Sequence, residues 1–273
     1  MKKLLLPALA GAAALSLTSC FQSETVIHVK KDGSGTLVEE TTFGEQMKAM
    51  MAQMASIGGG ADGKAPADPM ADMFSEEKMK AKAPKLGDGV SLDKVEKIPG
   101  KDGYRVTYKF ADINKLKLNE SDFSDNMKPP GAEEGKKEEP VTFTYAGGKL
   151  GIHMPKPEAK PKDDKDKDKE EEAAEEDGKE DPQEAAMKQV MADMKISIKV
   201  VADGGIDKTD ATYNSGDTVT LMEIDFGKIV KNPDAMKKMK AAKPESPEDF
   251  EKALKGIDGI KMETKGDISV TLK

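Results

Sequence analysis

Few side chains in this sequence are suited to catalysis, metal binding or phosphate recognition. The 273-residue chain contains one cysteine, Cys20, and two histidines, His28 and His153. Arg105 is the single arginine among 43 basic residues, so the two-pronged clamps that guanidinium groups form on phosphates or carboxylates are almost absent. The chain also lacks clustered basic charge, which argues against nucleic acid as a partner. The side chains that could bind a ligand or react are therefore one thiol, two imidazoles and the methionines.

Cys20 ends a segment laid out like a secretory signal peptide. Two lysines follow Met1, and an uncharged apolar run of 14 residues extends from Leu4 to Leu17, which is shorter than the roughly 20 residues that cross a bilayer. The sequence Leu17-Thr18-Ser19-Cys20 resembles the bacterial lipobox. This resemblance implies cleavage before Cys20 and attachment of a diacylglycerol to its sulfur. We therefore expect residues 1–19 to be a signal peptide and residues 20–23 a lipid-anchored amino terminus. The alternative is an ordinary cleaved signal with a chance cysteine.

Acyl chains such as palmitate on Cys20 predict a location in the cell envelope, on the extracytoplasmic side of a membrane. Each buried methylene contributes about 0.8 kcal/mol, so two or three chains anchor a protein firmly without a transmembrane helix. Lipidation also removes the liability of a lone thiol in an oxidising compartment such as the periplasm. Phe21 follows the cysteine, in place of the aspartate that commonly retains such proteins in an inner membrane. We therefore expect the outer membrane where two membranes are present.

The histidines and the glycine-serine segment give no sign of an active site. His28 and His153 each fall within a predicted strand, with no second histidine, cysteine or acid at ligand spacing nearby. Gly33-Ser34-Gly35 lies in a predicted hairpin turn instead of a strand-to-helix elbow. The acidic run at 163–168 lacks the turn glycine and the distal glutamate of a calcium loop. We expect solvated or edge histidines, no catalytic residues, no metal site and no cofactor. A degenerate hydrolase is a less favoured class.

Methionine is the unusual residue of this chain, with 17 in total. Many recur at three- and four-residue spacing, which predicts two amphipathic helices, each with one apolar stripe. Flexible thioethers fill irregular cores and form adaptable binding surfaces. The alternatives are packing of both stripes on the sheet without a ligand, and binding of a soft metal such as Cu(I). The predicted apolar contact surface consists of Met47, Met50, Met51, Met54, Met187, Met191 and Met194.

Alternation of apolar and polar residues with period two predicts a sheet. The runs Thr25–Lys30 and Thr36–Phe43 flank a tight turn at Asp32-Gly33-Ser34-Gly35, and a second hairpin is predicted around Gly147-Gly148. Ser246 is expected to cap a short helix that ends near Gly256. Hairpins with interspersed helices indicate an α+β fold with a largely antiparallel sheet, amphipathic methionine-rich helices and long disordered loops. Further strands are predicted at Tyr104–Phe110, Val141–Tyr145, Leu150–Met154, Ile196–Val200, Val219–Leu221 and Ile268–Leu272.

The distribution of charge predicts the domain organisation. Residues 156–181 carry 13 acidic residues against 7 lysines, a balance of −6 out of the net −8 of the whole chain. Such a segment cannot bury enough apolar surface to offset the entropy of ordering it. We expect disordered insertions near 58–69, 126–140 and 156–181, within a single domain that spans residues 24–273.

The order of these motifs resembles the LppM-type lipoprotein domain family. The shared features are a strand soon after the lipid cysteine, the turn at Asp32–Gly35, a second strand that leads into a helix, and the run 103–110 with Asp112-Ile113 after it. The chain differs from the family in its long charged insertions and lacks the closing hydrophobic segment that some members carry. The resemblance implies an α+β lipoprotein for which binding of envelope lipids has been proposed, and it assigns no ligand-contacting residue.

These observations predict a membrane-anchored, non-enzymatic lipoprotein. Its extracytoplasmic domain is expected to bind envelope lipids or other envelope proteins through the methionine-bearing helices. The alternatives are a Cu(I)-binding periplasmic protein and a structural envelope protein with no ligand.

Overall fold

A computed structural model describes residues 21–45, 47–49, 51, 69–119, 139–155, 191–241 and 256–273. Several predictions lie outside these residues: the signal peptide, Cys20, most of the three insertions, and the helix after Ser246. Met50, Met54 and Met187 lie outside them as well. Pro69, assigned from the sequence to the first insertion, is instead the first residue of a helix.

Strands and short helices make up the described part of the chain. The strands are Phe21–Val29 (β1), Gly35–Phe43 (β2), Ser91–Lys97 (β3), Gly103–Phe110 (β4), Lys117–Leu118 (β5), Val141–Ala146 (β6), Lys149–His153 (β7), Met194–Ala202 (β8), Ile206–Thr209 (β9), Asn214–Ser215 (β10), Thr218–Asp225 (β11), Ile260–Met262 (β12) and Asp267–Leu272 (β13). The helices are Pro69–Met73 (α1), Glu76–Lys82 (α2), Phe226–Val230 (α3) and Pro233–Ala241 (α4). Residues 45, 47–49 and 51 are also helical.

The larger sheet is centred on the first hairpin. Its strand order is β10-β11-β8-β1-β2-β4-β3, and β12 pairs with β11. β1 and β8 are parallel, with Phe21 opposite Met194 and Val29 opposite Ala202. The other pairings in this sheet are antiparallel. Because β1 and β8 begin at the same end of the sheet, Phe21 and Met194 lie side by side there.

The smaller sheet has the order β5-β6-β7-β13-β9, and all of its pairings are antiparallel. Alternate residues point to opposite faces, so Leu150, Ile152, Ile268 and Val270 are buried while the residues between them are not. The buried face joins the same hydrophobic core as Ile27, Leu37 and Tyr108 of the larger sheet. The α+β, largely antiparallel architecture predicted from the sequence is thus confirmed.

The two hairpin turns lie at the glycine positions that the sequence predicted. Gly33 has φ +81°, and the Asp32 carboxylate accepts hydrogen bonds from the backbone N–H of Ser34 at 2.9 Å and its hydroxyl at 2.7 Å. Gly147 and Gly148 have φ of +56° and +79° and join β6 to β7. Both central residues with positive φ match the twist that two-residue hairpins require.

One helical prediction is wrong at its end. The spacing of the methionines extended a helix through Met194, whereas Met194 is the first residue of β8. Met191 is helical, so the helical stripe does not continue to Met194. Pairing of β8 with β1 on one side and β11 on the other determines this boundary, since tertiary strand pairing overrides local periodicity.

Candidate functional site

The amino-terminal end of β1 is lined by aromatic rings. Phe21 directly follows Cys20 in the sequence, and its ring centroid lies 5.8 Å from that of Phe43, the last residue of β2. Phe43 lies 5.9 Å from Phe74 in an edge-on arrangement, and Phe74 stacks on Tyr104 at 4.9 Å. Such pairs add about 0.5–1.5 kcal/mol each beyond the area they bury. The row of rings ties β1, β2, β4 and the segment between α1 and α2 together.

Five methionines of the same core adjoin these rings, and we call the combined region the methionine end. Met194 is paired with Phe21, whereas the others lie in the helical segments directly after Phe43 and directly before Phe74. The methionine end comprises Phe21, Phe43, Met47, Met51, Met70, Met73, Phe74, Tyr104 and Met194. Met47 is buried, whereas Met51, Met70, Met73 and Met194 are only partly buried against the core. Of the predicted contact surface, the structure therefore brings Met47, Met51 and Met194 to one end of the sheet. Met191 is half-buried and is absent from this core cluster.

Polar side chains lie beneath the methionine end on the inner face of the larger sheet. Ser23 and Thr25 share the inward face of β1 with Phe21 and Ile27, and both are buried. The Thr25 hydroxyl has no hydrogen-bond partner among the described residues, although the side chain is 1% exposed. A buried hydroxyl without a partner costs about 1–3 kcal/mol. Sequence alternation places these residues on the inner face, but it does not reveal that one hydroxyl is left unpaired.

A partly buried ion pair joins α2 to the inner face. Lys82 Nζ lies 2.8 and 2.9 Å from the two carboxylate oxygens of Glu39. The two side chains are only 19% and 15% exposed. Glu39 lies opposite Thr25 on β2, so a charged pair and an unpaired hydroxyl are neighbours at the inner margin of the methionine end.

The outer face of the larger sheet carries alternating charges. Arg105 Nε donates to Glu40 at 2.6 Å, and this hydrogen bond raises the pKa of Arg105. Lys199 Nζ contacts Glu24 at 2.5 Å. Burial alone would raise the pKa of Glu223, but the hydrogen bond from Lys261 and the charge of Lys195 leave that pKa below its usual value. The single arginine therefore has a structural partner on the sheet.

The two histidines have acidic partners that the sequence spacing did not reveal. His28 Nδ1 lies 3.2 Å from Asp203, and His153 Nδ1 lies 2.6 Å from Asp267. Asp267 is opposite His153 on the neighbouring strand β13, although 114 residues separate them. Both histidine side chains are more than a third exposed, as the prediction of solvated histidines requires. The alternation of β7 and β13 was visible, but their pairing was not.

His153 also contacts a threonine, which completes a chain of three side chains. Its Nε2 lies 3.0 Å from the Thr144 hydroxyl. With the proton on Nδ1, His153 donates to Asp267 and accepts from Thr144. Thr144 also lines a shallow cleft of about 430 Å³ with Asn114, Lys149 and Ser269. Gly151 lies between them, since a Cβ there would overlap the Thr144 hydroxyl and lie 3.4 Å from His153 Nε2.

No three His, Cys, Asp or Glu side chains in the described ranges come together as a metal site. Met70 and Met73 of α1 both pack against the core. No helix in the part of the chain that the structure covers is long and apolar enough to span a bilayer.

Comparison with known proteins yields one structural similarity. No protein-family model matches the chain, and no curated protein matches it either. The chain is similar to the folded domain of LppM from Mycobacterium tuberculosis, solved by NMR, with 8% sequence identity over 96% of each chain and a TM-score of 0.32. A TM-score this low carries no argument about fold or function. The resemblance to the LppM-type family drawn from the sequence motifs therefore stays a prediction.

Proposed function

We propose that this protein is a bacterial envelope lipoprotein, anchored through acylated Cys20, that binds apolar or amphiphilic partners at its methionine end and has no catalytic role. The observation that carries the proposal is the position of the only cysteine. One peptide bond separates Cys20 from Phe21, and Phe21 is the first residue of the aromatic row. The lipid anchor and the apolar end of the fold are therefore covalently adjacent.

The chemistry of the methionine end suits a variable apolar partner. Unbranched thioethers repack around different shapes, and four of the methionines there are only partly buried. The Thr25 hydroxyl has no partner among the described residues and is 1% exposed, so a ligand reaches it only where the neighbouring side chains move apart. An amphiphile with an acyl chain and a hydroxyl or carbonyl group fits this combination.

Two measurements test the anchor. Mass spectrometry of the protein extracted from membranes is expected to show cleavage before Cys20 together with the mass of the acyl groups. A Cys20→Ser variant is expected to appear in the soluble fraction instead of sedimenting with vesicles. An unmodified Cys20 thiol, or a Cys20→Ser variant that still sediments with vesicles, would contradict the proposal.

The apolar contact is tested with variants of partly buried methionines. Met51→Gln combined with Met194→Gln is expected to lower binding of an environment-sensitive apolar dye several-fold. Met236→Gln is the matched control, because Met236 is also partly buried but packs against the separate cluster around Ile229. Equal dye binding by both variants would favour the alternative of a structural protein with no ligand. The Cu(I) alternative predicts that the domain removes Cu(I) from a chelator. This competition can be measured with the same protein samples.

A second candidate function is ester hydrolysis at Thr144, favoured by the Thr144–His153–Asp267 chain. The spacing matches a nucleophile, a base and a group that orients the base. In this scheme the Thr144 oxygen attacks the ester carbonyl carbon while its proton passes to His153 Nε2. That proton then leaves with the alcohol, and water hydrolyses the acyl-threonine to release the acid.

Hydrolysis of p-nitrophenyl acetate tests this candidate. Thr144→Val and His153→Gln are expected to abolish turnover, whereas His28→Gln is the control because His28 pairs with Asp203 on the other sheet. Activity that is unchanged in Thr144→Val would exclude the scheme.

A further inference from the structure

The chain provides no spacer between its lipid anchor and its fold. Consecutive Cα atoms lie about 3.8 Å apart, and Phe21, the residue after Cys20, is already paired on both sides, with Phe43 and Met194. A lipoprotein with a long linker rotates freely above its membrane. Here the position of Cys20 restricts the fold to within a few ångströms of the bilayer surface.

We propose that the domain stands end-on on its membrane, with the methionine end against the lipid headgroups and β1 directed away from the bilayer. The proposal rests on acylation of Cys20 and adds to it a defined contact surface on the protein. Its occupant is the bilayer to which the chain is attached, because the anchor emerges at that surface.

The strand register identifies the residues at the contact surface. β2 ends there at Phe43, whose N–H donates to the Asp102 carbonyl in the turn between β3 and β4. β8 begins there at Met194. Lys48, in the same helical segment as Met51, pairs with Asp102 of the β3–β4 turn at 2.7 Å. The partly exposed thioethers of Met51 and Met194 and the exposed Lys101 thus share one end of the sheet. Thioethers can enter the boundary between headgroups and acyl chains, while lysine can reach phosphate oxygens.

A polar cleft at the same end suits the headgroup level of a bilayer. The cleft, about 190 Å³, lies on the outer face of the larger sheet and is lined by Gln22, Thr42, Lys101 and Lys195. Two carboxylates, Glu24 and Glu40, also line it, and they pair with Lys199 and Arg105. Gln22 is the second residue after Cys20. The amides, hydroxyls and ammonium groups that line the cleft are donors for phosphate and ester oxygens. The acyl chains supply the affinity, so these contacts determine orientation.

The opposite end of the sheet then projects away from the membrane. β1 has nine residues, which extend about 30 Å at roughly 3.3 Å per residue. The distal end contains the turn at Lys31–Ser34, which Tyr145 contacts through a hydrogen bond to the Lys31 carbonyl at 2.6 Å. Tyr145 also lines the cleft beside Thr144. The cleft at Thr144 therefore lies at the end of the fold away from the bilayer, where soluble molecules can reach it.

Fluorescence quenching in vesicles tests the orientation. Full-length acylated protein is reconstituted in phosphatidylethanolamine and phosphatidylglycerol vesicles, as Lys101→Cys or Lys31→Cys variants labelled with a fluorophore. Both positions are exposed lysines in turns at opposite ends of the sheet. With a quencher on the lipid headgroup, quenching at position 101 is expected to exceed that at position 31 on the order of tenfold, because about 30 Å separates the two ends.

The outcomes separate this inference from the proposal on which it rests. Equal quenching at the two positions, or stronger quenching at position 31, in protein whose Cys20 carries its acyl mass would overturn the orientation and leave the anchor intact. Absence of acyl mass on Cys20 would overturn both. Preferential quenching at position 101 that persists at high salt supports contact through the thioethers, whereas preferential quenching that salt weakens supports contact through Lys195, because the labelled variant lacks Lys101.

Discussion

At the scale of single residues, the Lys82–Glu39 ion pair is expected to contribute measurably to stability. Both side chains are mostly buried, and they join α2 to β2. Lys82→Met removes one partner and leaves the Glu39 carboxylate uncompensated in a site with little water. We expect the free energy of unfolding to fall by about 2–3 kcal/mol, because an unpaired buried charge costs more than the pair contributes. Urea denaturation of the purified domain measures this loss.

Two further variants test the physical reason. Lys82→Met combined with Glu39→Met removes both charges and is expected to restore stability to within about 1 kcal/mol of the parent protein. Lys80→Met, on the same helix, breaks the exposed pair with Glu76 and is expected to change stability by less than about 0.5 kcal/mol. A double variant as unstable as Lys82→Met alone would mean that packing of the Lys82 stem, and not its charge, carries the effect.

The candidate residues differ in how far the sequence could predict them. Cys20 is recognisable from the sequence because its signal is local, a short apolar run followed by small residues. The Thr144–His153–Asp267 chain is not recognisable, because His153 and Asp267 meet only when β7 pairs with β13. Met194 was assigned to the contact surface by helical spacing, and it does lie at the methionine end, but as the first residue of a strand. Its role in a contact surface stays a prediction, while its predicted helical conformation is wrong.

At the scale of elements, the β1–β2 hairpin requires glycine where β2 begins, because the backbone of β1 lies very close to Gly35. A Cβ at Gly35 would overlap the backbone oxygen of His28 and lie 2.6 Å from Phe110 Cζ. We expect Gly35→Ala to lower the free energy of unfolding by about 3 kcal/mol or more, because strand backbone cannot move as a flexible side chain does. Gly266→Ala is the control, since nothing lies within 4 Å of its Cβ position. Equal stability of the two variants, measured by thermal denaturation, would show that the β1–β2 pairing adjusts.

The sequence predicted the elements whose signals are local and missed the pairings between strands that lie far apart in the chain. The β1–β2 and β6–β7 hairpins were predicted because alternation and the turn glycines are adjacent in sequence. β3 was missed because Asp93, Lys94 and Glu96 obscure its alternation, and a register shift lies between Leu92 and Lys94. Charged and irregular edge strands of this kind prevent sheets from pairing with other molecules. The parallel pairing of β8 with β1, more than 160 residues apart in sequence, has no local signal.

At the scale of the whole molecule, carboxylates determine how stability depends on acid. Hydrogen bonds from the Ser34 hydroxyl and N–H lower the pKa of Asp32, and those from Asn114 lower the pKa of Asp112. Burial opposes the effect at Glu223, but Lys261 and Lys195 still hold its pKa below the ordinary 4.5. A carboxyl whose pKa is lower in the folded state stabilises the fold above its unfolded pKa. That stabilisation is lost as pH falls through the folded pKa.

We therefore expect the free energy of unfolding to be nearly constant at neutral pH and to fall as pH decreases below the ordinary glutamate value of 4.5. Glu223→Gln cannot lose a charge on acidification, so its stability is expected to be lower at pH 7 and to decline less steeply in acid. Glu77→Gln, a change at an exposed position of α2, is expected to leave the profile unchanged. Urea denaturation at a series of pH values measures all three curves. An unaltered acid slope in Glu223→Gln would mean that the turn carboxylates Asp32 and Asp112, and not the ion pairs of β11, govern acid unfolding.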